Sequence, residues 1–80
     1  MATTVTPTLT WTECVTLVSR LHMLHSNRRI NLRGGDNPSD SERLFNAGQL
    51  AMADEEESIQ RKLMQAHVDN GGDLSDFARL

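Results

Sequence analysis

NPSDSERLFNAGQLAMADEEESIQRKLMQAHV, residues 37 to 68, is the stretch whose reading decides the fold. It has no proline after Pro38, is rich in strong helix formers, and is stopped by Asn70-Gly71-Gly72. Asn37 can cap a helix that begins at Pro38, because the first helical N–H has no partner to lose. Ser39 followed by Glu42 offers a second start, a capping box two residues later. Asp36, Asp40 and Glu42 place negative charge at the positive end of the helix dipole. The expected helix covers residues 38–69.

At about 100° per residue, Phe45, Gly48, Met52, Ile59, Leu63 and Ala66 fall on one side of that helix. Leu44, Ala47 and Ala51 widen the stripe. The small residues Ala47, Gly48 and Ala51 predict a close helix contact, which would explain a mid-helix Gly48 that costs about 1 kcal/mol against Ala. Leu50, Ala53, Met64 and Val68 make a second, narrower stripe, between about 80° and 140° from Phe45 and interrupted by Glu57. The acidic run Asp54–Glu57 reads as a solvated face, with a contact surface for a basic partner as the sharper alternative. Glu57 stands four residues before Arg61, the favourable order for a helical ion pair of about 0.2–0.5 kcal/mol.

Upstream, Thr10 and Glu13 form a T-x-x-E capping box. Cys14, Leu17, Val18, Leu21 and Leu24 follow at helical spacing, with Trp11 and His25 on the flank. This predicts a helix over 10–28 whose apolar residues cover the first stripe of the long helix. Ile30 and Leu32 alternate with polar residues, so helix continuation and a short extended segment are both open there. Gly34-Gly35-Asp36-Asn37-Pro38 is a loop, which makes the two helices antiparallel neighbours. Residues 1–9, with four threonines and Pro7, read as a flexible arm. Asp73 and Asp76 suit the start of a short last helix, 73–80, with Leu74, Phe77 and Leu80 folding back as a lid.

Eighty residues at formal charge −3 make one small domain with a thin core: one Trp, two Phe and no Tyr. The acidic balance weighs against general nucleic-acid binding, which wants a basic surface. A single cysteine, Cys14, excludes an internal disulfide and a cysteine-built zinc site. With no signal-peptide pattern and no apolar run near eighteen residues, a soluble cytoplasmic protein without a membrane partner is expected.

Chemistry is sparse. His22 and His25 are spaced i, i+3, but a closed metal site needs three or four ligands, and His67 sits at the far end of the long helix. No metal and no cofactor are expected. Cys14 lies on an apolar stripe, where cysteine behaves as a small hydrophobe. The clusters Asp36/Asp40/Glu42 and Asp69/Asp73/Asp76 lack the calcium-loop pattern and read as helix starts and turns. Arg28, Arg29 and Arg33, beside Gly34-Gly35 and a helix N-terminus, form the one basic spot and a candidate anion contact. Exposed arginines near a loop predict that changing all three to Glu leaves the melting temperature nearly unchanged. No P-loop, dinucleotide fingerprint or catalytic triad is present.

The sequence therefore predicts an all-α fold: an antiparallel helical hairpin with a short C-terminal helix, completed by homo-oligomerisation. Leu50, Ala53, Met64 and Val68 are the expected dimer or partner face. The expected function is non-enzymatic: a small interaction protein that binds and blocks a protein partner. In size and plainness it is similar to small accessory, antitoxin-like or phage-encoded inhibitor proteins, an analogy of type rather than of motif. The rival is an anionic-ligand or nucleic-acid binder using the arginine elbow at a dimer seam.

Overall fold

The computed structural model describes residues 3–5 and 8–78. Leu80, expected in the lid, and residues 1, 2, 6 and 7 of the expected arm lie outside the described residues. The architecture is a hairpin of two helices, α1 (Trp11–Ile30) and α2 (Asp40–Asp69), followed by a 3-10 turn (Leu74–Phe77). No strand occurs among the described residues: Ile30 is the last residue of α1, and Leu32 lies in the connection that follows.

Local sequence sets the boundaries. At α1, the Glu13 N–H donates to Thr10 Oγ1 at 3.1 Å and the Thr10 N–H donates to Glu13 Oε1 at 2.9 Å. At α2 the reciprocal pair is Ser39 and Glu42, so the capping box starts this helix rather than Asn37-Pro38. In both cases two otherwise unpartnered N–H groups are satisfied together. Arg28 and Arg29 occupy the last turn of α1, where the dipole favours cations. α2 ends at Asn70, with Gly71 in the left-handed region at φ +92°. The last element is tighter and shorter than the expected 73–80 helix: Asp73 caps a single 3-10 turn whose N3 residue is Asp76.

The connection is short and tied down. The Arg33 N–H donates to Asn46 Oδ1 at 2.8 Å, and Asn46 Nδ2 returns a bond to Arg33 O at 2.9 Å. Gly34 turns the chain at φ +83°, and a Cβ there would collide with Pro38.

The core sits at the end of the hairpin away from this loop. Cys14, Val18 and Phe77 form a buried cluster, with Val15, Leu63 and Met64 packed against it. Phe77 thus folds back as expected, while Leu74 stays exposed. Ala53 is fully buried further along the hairpin. The molecule is a slab, 48 × 36 × 15 Å, close to one helix thick.

α2 is rotated relative to the expectation. The first stripe meets the α1 core only at Leu63, which packs on Cys14 and Val18, whereas Met52 and Ile59 are 46% and 42% exposed, and Leu17 and Leu24 of α1 are 41% and 47% exposed. Gln49, Ala53, Glu56 and Gln60 turn inward instead. The reason is polar. α1 presents His25, Arg28 and Arg29 along its inner side, and these groups need partners before they can leave water. Gly48 has nothing within 4 Å of where a Cβ would stand, so the expected close contact at Ala47, Gly48 and Ala51 is not made within the chain.

Candidate functional site

Three places gather chemistry: the seam between the helices, a cleft at the loop end, and a cleft at the open end. The seam is built from charge-assisted and neutral hydrogen bonds. Arg28 Nε donates to Glu56 Oε1 at 2.8 Å, and its NH1 donates to Gln49 Oε1 at 3.0 Å. The side chains of Arg28 and Glu56 are 24% and 15% exposed, so the pair is largely removed from water. Arg29 pairs with Asp54 at 3.1 Å and Glu57 at 3.4 Å, and Glu57 also holds Arg61 at 3.1 Å in the expected i, i+4 pair. The acidic run is therefore divided. Glu56 and Glu57 belong to the seam, Asp54 reaches back to Arg29, and Glu55 faces solvent.

His25 is the buried polar residue of this seam. Its Nε2 lies 2.7 Å from Gln60 Oε1 and its Nδ1 lies 2.9 Å from Arg29 NH1. An Arg N–H can only donate, so Nδ1 accepts and Nε2 carries the proton donated to Gln60: the neutral Nε2–H tautomer fits both contacts. His22 stacks edge-on against His25 at 5.2 Å. Both ring nitrogens of His25 are engaged, which leaves it no lone pair for a metal. Among the described residues, no group of three or more His, Cys, Asp or Glu stands together as a cation site.

The loop-end cleft encloses about 480 Å³ and is lined by Leu24, Asn27, Arg28, Asn31, Arg33, Phe45 and Gln49. Arg33 lies over the Phe45 ring, 3.7 Å from its centroid. The expected arginine trio is thus split: Arg28 and Arg33 border this cleft, while Arg29 is held by Asp54, Glu57 and His25. Arg28 and Arg29 are structural as well as basic, which corrects their reading as exposed side chains free of the fold. The partner of Arg28 is Glu56 of its own chain.

The open-end cleft is larger, about 850 Å³, between the N-terminal segment and both helices. Trp11, Cys14, Leu63 and His67 line it, with Lys62 at its edge. His67 and Asp76 form a pair that sequence reasoning missed: His67 Nε2 lies 2.7 Å from Asp76 Oδ2, which also accepts from Trp11 Nε1 at 3.4 Å and the Asp73 N–H at 3.2 Å. The His67 bond, then the Asp73 N–H, hold the Asp76 carboxyl below its ordinary value. The Phe77 ring meets His67 edge to face at 5.0 Å. The available signal was a nine-residue spacing across the Gly71-Gly72 turn. Cys14 shares this cleft, but burial pushes its thiol up and Sγ points to the Leu63 carbonyl at 3.6 Å. A raised thiol on a backbone carbonyl is a poor nucleophile.

Leu50, Ala53, Met64 and Val68, expected to share one free face, are divided. Ala53 is buried in the seam, Met64 packs on the core cluster, Val68 is half-buried, and Leu50 is 40% exposed. None of the described helices is long and apolar enough to cross a membrane. The chain matches no family model, no curated protein and no solved structure.

Proposed function

We propose that this chain is a small non-enzymatic interaction protein that works as a homo-oligomer in the cytoplasm. It binds a protein partner through helix faces and blocks it, in the manner of small accessory or phage-encoded inhibitors. One observation carries the reading. Large apolar side chains stay uncovered along both helices, from Met23 and Ile30 of α1 to Leu44 and Met52 of α2, while Arg28, Gln49 and Glu56 are paired with one another across the seam. Extended apolar surface on a small helical protein marks a contact site. The engaged states of Cys14 and His25 support the absence of nucleophilic chemistry.

A tagged chain used as bait in a lysate of its native host tests this. A single protein partner that survives 0.5 M salt, as apolar contacts should, supports the reading (about a 3-fold shorter screening length than in dilute buffer). Capture of nucleic acid released by salt overturns it in favour of the second reading. That alternative is an anionic ligand at the loop-end cleft, favoured by Arg28, Arg33, Asn27 and Asn31 bordering one depression. Phosphate contacts there would weaken steeply with salt.

A further inference from the structure

The uncovered apolar residues are not scattered. Leu17 and Leu24 lie about 100–120° to one side of the fully buried Val18 on α1, and Met52 and Ile59 lie the same angle, in the same sense, from Ala53 on α2. In an antiparallel pair, equal rotations of the same sense from the facing residues lead to one broad side of the slab. The clefts agree with this placement: Leu24 and Phe45 border one, and Ile59 and Leu63 border the other. One side of the slab therefore carries an apolar strip contributed by both helices.

We infer that this strip receives a second copy of the chain, giving a four-helix bundle. The inference rests on the interaction reading above and specifies one of its surfaces. Area is the first argument. A compact monomer of 8.9 kDa exposes about 4,800 Å² by the usual scaling. This chain exposes 6280 Å², roughly 1,500 Å² in excess, and one partner of a standard interface contributes about 800 Å². That excess is larger than the area one partner of such an interface covers.

Chemistry is the second argument. The strip is built of Leu, Met and Ile, and Arg28 and Glu56 beside it already neutralise one another. No buried side-chain nitrogen or oxygen among the described residues lacks a partner. Apposed across a two-fold axis, the Leu, Met and Ile side chains of such a strip meet their own kind, with Lys62 and Arg33 at the bordering clefts rather than within it. Two hairpins stacked this way reproduce the layered packing of a four-helix bundle, with the single-helix thickness doubled.

Sedimentation velocity and isotope-filtered NMR on the full chain test it. At 50 µM the expected mass is twice 8.9 kDa, and Leu24→Glu and Met52→Glu should each weaken association at least 10-fold with the helical signal retained. Met23→Glu, on the outer side of α1, should leave the dimer intact. Should the variants unfold, the wild-type chain still decides the matter. Mixed labelled and unlabelled protein should show intermolecular contacts among the Leu17, Leu24, Met52 and Ile59 methyls. A monomer at 50 µM, or intermolecular contacts confined to Leu50 and Val68, overturns the inference. A monomer that still captures a host protein sinks the dimer and spares the interaction reading, and a dimer that captures nothing does the reverse.

Discussion

Arg28 shows how one side chain fixes the fit of two helices. It leaves water on α1 only because Glu56 and Gln49 are there to receive its N–H groups. Removing one member strands the other, a loss of about 1–3 kcal/mol by the usual penalty for an unpaired polar group. Glu56→Ala is therefore expected to lower the urea midpoint clearly. The double variant Arg28→Met, Glu56→Leu should recover most of that loss, because a matched apolar pair strands nothing. By the same logic, changing Arg28, Arg29 and Arg33 together to Glu should now lower the melting temperature markedly, since it sets acid against Asp54, Glu56 and Glu57. Gly72 is the other exacting position: a Cβ there would run into the His67 ring. Gly72→Ala should cost roughly 1–3 kcal/mol, as overpacking does, and detach the turn that Asp76 holds.

At the scale of elements, both helix starts and the terminal turn rely on carboxylates. Glu13 and Glu42 are held below the ordinary glutamate value mainly by the Thr10 and Ser39 backbone N–H groups, and Asp76 is held low mainly by His67. A carboxyl lowered in the folded state contributes fully above its unfolded pKa and loses that contribution as pH falls through the folded one. Stability should thus be flat above about pH 5 and decline below about pH 4. Trp11, which donates to Asp76, supplies the readout: its emission should shift through the acid limb in the wild type and less in Asp76→Asn. Both capping boxes were legible in the sequence, because Thr10–Glu13 and Ser39–Glu42 are three-residue events that local geometry decides. The antiparallel hairpin was legible from Gly34-Gly35 and the two helical periods. The facing sides were legible only at the open end, where Cys14 and Val18 meet Leu63 as expected. Apolar periodicity weights Met52 and Ile59 toward the partner helix, whereas pairing between residues 21 to 35 positions apart turned Gln49, Glu56 and Gln60 inward. The same rotation separates Leu50 from Met64. Met64→Glu should destabilise the fold through the core cluster, and Leu50→Glu should leave the circular dichroism spectrum and melting temperature nearly unchanged.

At the scale of the whole molecule, the open end depends on one ring. Phe77 closes the Cys14–Val18 cluster, and the segment carrying it is only four residues of 3-10 helix. Phe77→Ala should cost about 3–5 kcal/mol and speed labelling of the Cys14 thiol, which burial otherwise suppresses. Unchanged labelling in a folded variant would mean that the helices alone shield the sulfur. The cross-links of the hairpin also form a graded series. Arg33 and Asn46 are 13 residues apart, Arg28 and Gln49 are 21, His25 and Gln60 are 35, Cys14 and Leu63 are 49, and Trp11 and Asp76 are 65. Each link, once made, leaves only a short stretch of free chain before the next, so no long loop has to close in one step. The expected folding order runs like a zip from the loop outward, and the Trp11–Asp76 link fastens last. Transition-state mapping should return high φ values at Asn46 and Gln49 and values near zero at Phe77.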